Sequence, residues 1–210
     1  MTSYIKTKLS IDTKILSAIH SRGKGAVFVP ADFLEFGSRE AIDIALHRLT
    51  NKGTIRRLTC GVYDFPKTHA ALGLLSPSAE AVAKALAGRD YTRLQPAGAF
   101  AANALGLSEQ VPAKVVFLTD GPSRTVKIGP TTIQLRRTTA KNMAAAGRLS
   151  GLLIQALRMI GMKNITPERR KHLKKTLPAI KRRELIKDLR LAPAWMHPIF
   201  RELAGEGTSV

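Results

Sequence analysis

Hydrogen-bonding side chains crowd one side of a helix that the sequence predicts between Ser38 and Gly53. Four apolar residues with helical spacing form its inner stripe: Ile42, Ala45, Leu46 and Leu49. Its outer face and flanks carry Arg39, Glu40, Asp43, Ile44, His47, Arg48 and Asn51. Such a face can hydrogen-bond to base edges in a DNA major groove, and Ile44 suits a thymine methyl group. An ordinary amphipathic surface helix is the alternative interpretation.

Both ends of this helix are marked, and a basic hairpin follows it. Ser38 suits the N-cap position and is itself a candidate DNA contact, whereas Gly53 suits the left-handed residue after the helix. Residues 54–59 and 62–65 alternate like two strands around a tight turn at Cys60-Gly61. Arg56 and Arg57 point to opposite faces of the first strand. One of them, with Thr59, is expected to contact a phosphate or enter the minor groove.

The segments before the helix complete an ordered motif. A helix capped by Asp12 is predicted first, followed by a strand over residues 26–29. A second helix begins at Pro30 and breaks near residues 36–37. Helix, strand, helix, turn, helix and hairpin is the order of a winged helix-turn-helix. Residues 1–66 are therefore predicted to form a DNA-binding domain of that type.

The run ALHRLTNKGTIRRLTCGVYDFP, which ends at Pro66, resembles the N-terminal winged helix of AbiEi-type antitoxins. The shared features are an Ala-Leu-x-x-Leu helix, a Lys-Gly, a basic strand and a Gly-x-Tyr wing. They fall on Ala45-Leu46, Leu49, Lys52-Gly53, Ile55-Arg56-Arg57 and Gly61-Val62-Tyr63. Residues 96–107 and 112–121 resemble the core that follows the winged helix in those proteins. The resemblance covers residues 12–140.

Membership of that family implies a transcriptional repressor that binds repeats in its own promoter. It also implies neutralisation of a co-encoded nucleotidyltransferase-like toxin, without a stable complex being required. Stand-alone relatives occur, so a regulator without a toxin is an alternative.

The net charge predicts a polyanionic partner but places most of the excess outside the winged helix. The 210 residues carry 34 Lys and Arg against 15 Asp and Glu, a formal charge of +19. Residues 135–210 hold 17 basic and 5 acidic side chains, whereas residues 1–66 hold 10 and 6. The length and the 44% hydrophobic content suffice for two folded domains.

The residue patterns give no support to enzymatic, metal or membrane functions. The histidines at 20, 47, 69, 172 and 197 have no metal-ligand spacing, and no Gly-x-Ser-x-Gly, Walker or paired-carboxylate motif occurs. We therefore expect no enzyme activity and no cofactor. A single cysteine, a short first apolar run and no spanning segment favour a cytoplasmic protein. An oxidation-sensing thiol at Cys60 is an alternative to an inert one.

Residues 67–76 are predicted to be a linker and residues 77–138 a small α+β domain. Two helices and three strands are predicted within it: residues 78–88 and 96–105, then 114–119, 125–128 and 131–137. The turns between the strands predict a small antiparallel sheet with helices on one face. Residues 120–124 lack the glycines and Lys-Ser/Thr pair of a nucleotide loop, so a hairpin turn is favoured over phosphate binding.

Residues 139–210 are predicted to form a basic helical region packed on the second domain, with a loose tail over 205–210. One helix is expected from Thr139 to Gly161, its apolar stripe facing a core or, alternatively, a dimer partner. Another starts at Thr166, and a third has Ile180 on its inner side. Their outward cations form a candidate C-terminal basic surface for nucleic acid: Arg169, Arg170, Lys171, Lys174, Lys175, Lys181, Arg182, Arg183 and Lys187. A solvated helical face is the alternative, although its charges would be mixed in sign.

Three hypotheses follow. The first is a sequence-specific repressor and AbiE-like antitoxin, whose partners are double-stranded promoter DNA and the toxin. The second is an RNA-binding protein that uses the C-terminal basic surface. The third is an interaction module for the product of the adjacent gene. The sequence leaves the oligomeric state open.

Overall fold

The computed structural model of the chain describes residues 9–205, which separate into two units. The first unit ends at Arg89 and the second begins at Asp90. Each unit combines helices with small sheets, so the predicted α+β class is confirmed. Apart from Gly205, the expected C-terminal tail lies outside the described residues.

Unit 1 contains the elements predicted for its first part and adds a hairpin and a helix after them. In chain order these are α1 (Ile11–Arg22), β1 (Val27–Phe28), a 3-10 helix (Pro30–Phe36), α2 (Arg39–Asn51), β2 (Arg56–Thr59), β3 (Val62–Asp64), β4 (Thr68–His69), β5 (Gly73–Leu74) and α3 (Ala79–Arg89). β3 lies between β1 and β2 in an antiparallel sheet, and β4 and β5 form a separate hairpin.

The ends of α2 are as predicted, whereas the start of α1 is not. The Ser38 hydroxyl accepts a hydrogen bond from the backbone N–H of Ala41 at 3.3 Å, and Gly53 adopts a φ of 70°. The N-cap of α1 is Ser10 and not Asp12. Ser10 has the extended backbone of a residue just outside a helix, and Asp12 already lies in the first turn.

A single aromatic and aliphatic core holds unit 1 together. Its members come from α1, the 3-10 helix, α2 and the sheet: Ile15, Ile19, Phe28, Phe33, Ile42, Ala45, Leu46, Leu49, Ile55 and Tyr63. α3 packs on β1 and β3, with Val82 and Leu86 buried. Unit 1 therefore extends past residue 66 and includes the residues expected to be a linker and the first helix of the next domain.

Unit 2 contains a four-stranded sheet and the C-terminal helices. In chain order it has β6 (Leu94–Ala97), α4 (Gly98–Ala104), β7 (Lys114–Thr119), β8 (Arg124–Ile128), β9 (Thr131–Arg137), α5 (Ala140–Met143), α6 (Leu149–Ile160), a 3-10 helix (Met162–Asn164), α7 (Pro167–Thr176), α8 (Ala179–Arg183), 3-10 helices at Glu184–Leu191 and Ala194–Met196, and α9 (His197–Ala204).

The sheet is mixed, so the prediction of an antiparallel sheet was wrong. Its order is β6-β7-β9-β8, and β7 and β9 run parallel. The chain leaves β7, passes the end of the position that β9 will fill, and forms β8 at the edge. Two strand spacings are about 9.6 Å, which the four residues 120–123 can span. The Ser123 hydroxyl accepts from the backbone N–H of Arg137 at 3.0 Å and holds this crossing in place.

The C-terminal region belongs to unit 2 and shares a continuous core with α4, but two of its helices differ from the prediction. The helix expected from Thr139 to Gly161 is two helices, α5 and α6, separated by a turn in which Gly147 has a φ of 78°. Ile180, expected inside, is 79% exposed, whereas Leu185 is buried. The core joins α4, α6, α7 and α9 through Ala101, Leu105, Leu153, Leu157, Leu173, Ile199 and Phe200.

Candidate nucleic-acid interface

The outer face of α2 is open to solvent along its whole length. All seven of its residues are exposed: Arg39, Glu40, Asp43, Ile44, His47, Arg48 and Asn51. Ile44 is 56% exposed although it is a large apolar residue. The apolar stripe on the other side is buried, as predicted. A helix held from behind in this way presents its outward side chains as a rigid set.

Ion pairs and a hydrogen bond order the side chains on this face. Arg39 Nε lies 2.9 Å from Asp43 Oδ2, one helical turn further on. Arg48 Nη2 lies 2.6 Å from Asp12 Oδ1 and so ties α2 to α1. Exposed pairs of this kind contribute about 1 kcal/mol or less, so both arginines can exchange a carboxylate for a phosphate at little cost.

Asn51 and His47 form a polar pair near the C-terminal end of α2. Asn51 Nδ2 and His47 Nε2 are 3.1 Å apart across one helical turn. Asn side chains can hydrogen-bond to adenine N6 and N7 in the major groove. The pair therefore places a candidate base-reading amide two residues before Gly53.

Arg56 is not available for a nucleic acid, which corrects its assignment as a DNA contact. Its Nε and Nη2 donate to the two carboxylate oxygens of Asp64 at 3.0 and 2.6 Å. Asp64 is 1% exposed, and Nη2 of Arg56 also donates to the carbonyl oxygen of Leu75 at 3.0 Å. The hydrogen bonds of Asp64 raise the pKa of the Arg56 guanidinium further above its ordinary value. Arg56 therefore joins β2, β3 and the chain after β5.

Arg57 takes the outward position on the same strand. It is exposed and forms no ion pair with any residue between 9 and 205, and Thr59 beside it is half-buried. A two-residue turn at residues 60–61 would set Arg57 opposite Asp64. A bulge between Arg57 and Thr59 shifts the register by one residue, so Arg56 pairs with Asp64 instead. The bulge decides which arginine faces outward.

The outer face of α2 has no net positive charge of its own. Arg39 and Arg48 are balanced by Glu40 and Asp43. The backbone N–H of Glu40, followed by the hydroxyl of Ser38, holds the pKa of the Glu40 carboxyl below its ordinary value. A carboxylate here can accept a hydrogen bond from cytosine N4 but repels phosphate. Attraction to a polyanion must therefore come from neighbouring cations such as Arg57.

The C-terminal basic surface is smaller than the sequence suggested. Arg170 pairs with Glu202 at 3.3 Å, Arg182 donates to the carbonyl oxygen of Leu203 at 3.4 Å, and Arg169 donates to that of Asn164. The other six cations are exposed and form no ion pair within the described chain: Lys171, Lys174, Lys175, Lys181, Arg183 and Lys187. Lys171 and Lys175 lie on the side of α7 opposite the buried Leu173.

Comparison with known proteins places the chain in a family. A family model described as "Family of unknown function (DUF6088)" matches residues 14–185. The chain belongs to DUF6088. This match runs from α1 into the 3-10 helix after α8, so it includes most of both units of the DUF6088 chain. No curated protein and no solved structure matches it.

Two buried polar residues, Asp64 and Gln155, were not identified from the sequence. Asp64, the partner of Arg56, could have been found from its place two residues before Pro66 in a strand that faces a basic one. Gln155 is buried on α6 among apolar neighbours, and no periodicity identifies such a residue.

Among residues 9–205, His, Cys, Asp and Glu side chains form no group of three that could bind a metal ion. Nor does any helix in that range have the length and apolarity needed to cross a membrane.

Proposed function

We propose that this DUF6088 chain is a sequence-specific DNA-binding transcriptional repressor and that unit 1 acts as a winged helix-turn-helix. The observation that carries the proposal is the solvent-exposed outer face of α2, followed directly by a hairpin whose Arg57 points outward. In this arrangement α2 enters a major groove and the β2–β3 hairpin contacts the flanking backbone.

The different charges of α2 and of the β2–β3 hairpin give them different roles in binding DNA. Asn51 and Ile44 offer an amide and a methyl-bearing group, which discriminate between bases. Arg57 offers an unpaired cation, which binds phosphate without regard to sequence. The neutral sum of charges on α2 limits non-specific binding by that helix, so selection of a sequence rests on base contacts.

A binding measurement on the full chain tests this proposal. The duplex upstream of the gene and a scrambled duplex of equal length are titrated by fluorescence anisotropy at two salt concentrations. We expect the upstream duplex to bind at least about tenfold more tightly, as specific sites do. Asn51→Ala on the outer face should lower the affinity for the upstream duplex. Lys84→Ala on α3 is the matched control and should leave that affinity unchanged. Equal affinity for both duplexes at both salt concentrations contradicts the proposal.

The resemblance to AbiEi-type antitoxins extends the proposal to a toxin–antitoxin operon. In that case the chain represses its own promoter and neutralises a nucleotidyltransferase-like toxin encoded beside it. Co-expression of the adjacent gene with and without this chain tests the extension, and restored growth is the expected result. If the neighbouring gene is harmless when expressed alone, the chain acts as a stand-alone regulator and only the repressor function remains.

Binding of structured RNA is a second candidate, favoured by the six exposed cations of the C-terminal basic surface. Lys171, Lys174 and Lys175 are exposed on one ten-residue helix, α7. Lysines in this arrangement bind phosphates independently of sequence. Replacing all three by Gln should weaken binding to a hairpin RNA and leave preference among DNA duplexes unchanged. If the hairpin RNA displaces the upstream duplex from the protein when both are present at equal concentration, the second candidate replaces the first.

A further inference from the structure

A cleft of about 310 Å³ opens in unit 2 beside the ends of the parallel strands β7 and β9. Its lining comes from β6, α4, β7, β9, α5 and α6, and includes Arg136, Thr138, Asn142, Gln155, Arg158 and Met159. Its volume lies at the lower end of the range that small-ligand pockets occupy. All of its lining residues belong to unit 2.

Two arginines give the cleft a positive charge that no carboxylate balances. Arg136 and Arg158 are both exposed, and neither forms an ion pair with a residue of the described chain. The lining includes no Asp or Glu. Arg is permanently charged and presents a planar set of donors that matches a phosphate group. Two such cations in one concavity favour an anion between them.

Gln155 adds an uncharged hydrogen-bonding group to the cleft. This residue is 7% exposed, lies between the buried residues Ile154 and Ala156, and lines the cleft. Its side-chain amide makes no hydrogen bond to any part of the chain between residues 9 and 205. The oxygen and nitrogen of this amide keep contact with solvent at the cleft, so they can hydrogen-bond to a ligand there.

The remaining lining groups extend the set of hydrogen-bonding partners. Asn142 Oδ1 accepts from Arg158 Nη1 at 3.2 Å, which orients the guanidinium and leaves the Asn142 carbonyl engaged. Asn142 Nδ2 is held by the hydroxyl of Thr138 at 2.9 Å. Met159 adds a flexible apolar wall. The amide of Gln155 is therefore the group left to recognise the uncharged part of a ligand.

We infer that this cleft binds a mononucleotide, with its phosphate on Arg136 and Arg158 and its base or ribose on the amide of Gln155. The phosphate satisfies the two unpaired cations, and the hydrogen-bonding edge of the nucleoside can pair with the amide that faces the cleft. The inference goes beyond DNA binding by unit 1 and does not depend on it. In a regulator of transcription, such a cleft makes the protein responsive to a small molecule.

Isothermal titration of the full chain with AMP, GMP, CMP and UMP tests the inference. Adenosine and inorganic phosphate serve as probes of each half of the ligand. We expect at least one mononucleotide to bind, adenosine and phosphate to bind more weakly, and Arg136→Gln or Arg158→Gln to weaken binding at least about tenfold. Arg201→Gln on α9, which removes an exposed arginine elsewhere in unit 2, should leave binding unchanged.

Gln155→Leu separates a ligand role from a structural one. Because Leu fills the same position without an unpartnered amide, the thermal midpoint should stay equal or rise while mononucleotide binding falls. A lower midpoint together with unchanged binding overturns the assignment of Gln155. No binding of any mononucleotide at millimolar concentration overturns the inference. So does a short single-stranded RNA that binds through Arg136 and Arg158 when mononucleotides do not, since the cleft then serves a polymer.

Discussion

Arg56 and Asp64 face each other across β2 and β3, joined by two hydrogen bonds of 3.0 and 2.6 Å. Asp64 is almost completely removed from solvent, and the same guanidinium also binds the carbonyl oxygen of Leu75. The pair fixes the base of the hairpin that carries Arg57. One arginine therefore stabilises the hairpin while its neighbour is free to contact a ligand.

Replacing Arg56 by Ala should destabilise unit 1 strongly. Loss of the guanidinium leaves a buried carboxylate without a partner, which costs about 3–5 kcal/mol in comparable cases. The free energy of unfolding, obtained from urea titrations followed by circular dichroism, measures the effect. Arg57→Ala on the same strand is the matched control and should change stability by less than about 0.5 kcal/mol. Equal midpoints for the two variants contradict a structural role for Arg56.

Arg57 and Asn51 should affect DNA binding in different ways. Arg57→Ala is expected to weaken binding to all duplexes alike and to reduce the slope of log affinity against log salt by about 1. Asn51→Ala is expected to cost about 1–3 kcal/mol at one base pair and to relax specificity there. Binding of a set of single-base operator variants at several salt concentrations separates the two effects. A change in salt slope for Asn51→Ala but not for Arg57→Ala reverses the assignment.

Asp120 should make unit 2 sensitive to acid. The side chain of Arg93, and then its backbone N–H, donate to Asp120 and hold the pKa of this carboxyl below its ordinary value. The stabilisation is complete above the unfolded pKa of about 3.9 and is lost as the pH falls through the lower folded value. Asp120→Asn should therefore flatten the decline of unfolding free energy below about pH 4. The unfolding free energies of the two proteins are measured by urea titration across that pH range. An equal decline with falling pH in both proteins contradicts this role.

Gly151 should tolerate no side chain. A Cβ at this position of α6 would lie 2.2 Å from the carbonyl oxygen of Ala145 and 2.4 Å from Oε1 of Gln95. The first contact is with backbone, which cannot move aside as a flexible side chain can. Gly151→Ala is thus expected to lower the thermal midpoint by several degrees, as an overpacked core does. Gly88→Ala in α3, where nothing lies within 4 Å of the added carbon, is the control and should not destabilise the protein.

Local signals in the sequence were sufficient for the elements of unit 1. The hydroxyl of Ser38, the apolar spacing inside α2 and the positive φ at Gly53 each act within a few residues, and each is found in the structure. Which arginine of the hairpin turns outward was not accessible in this way. That outcome depends on a one-residue bulge, and a bulge is set by packing of both strands together.

Unit 2 shows where sequence patterns stop being informative. Alternation identified β7, β8 and β9 as strands, but it does not specify which strand pairs with which, so the parallel pair of β7 and β9 was not predicted. The exposure of Ile180 has a related cause, because a short helix followed by 3-10 turns does not keep the 3.6-residue period. The cleft around Gln155 joins residues from six separate elements, and only the tertiary structure brings them together.

The central place of β9 has a consequence for the newly made chain. β7 leaves the ribosome before β9, and residues 131–137 must follow before the inner edge of β7 acquires its native partner. Until then, the backbone N–H and C=O groups along that edge are open to any other strand, including one from a neighbouring nascent chain. The middle of this sheet is thus its last part to be built.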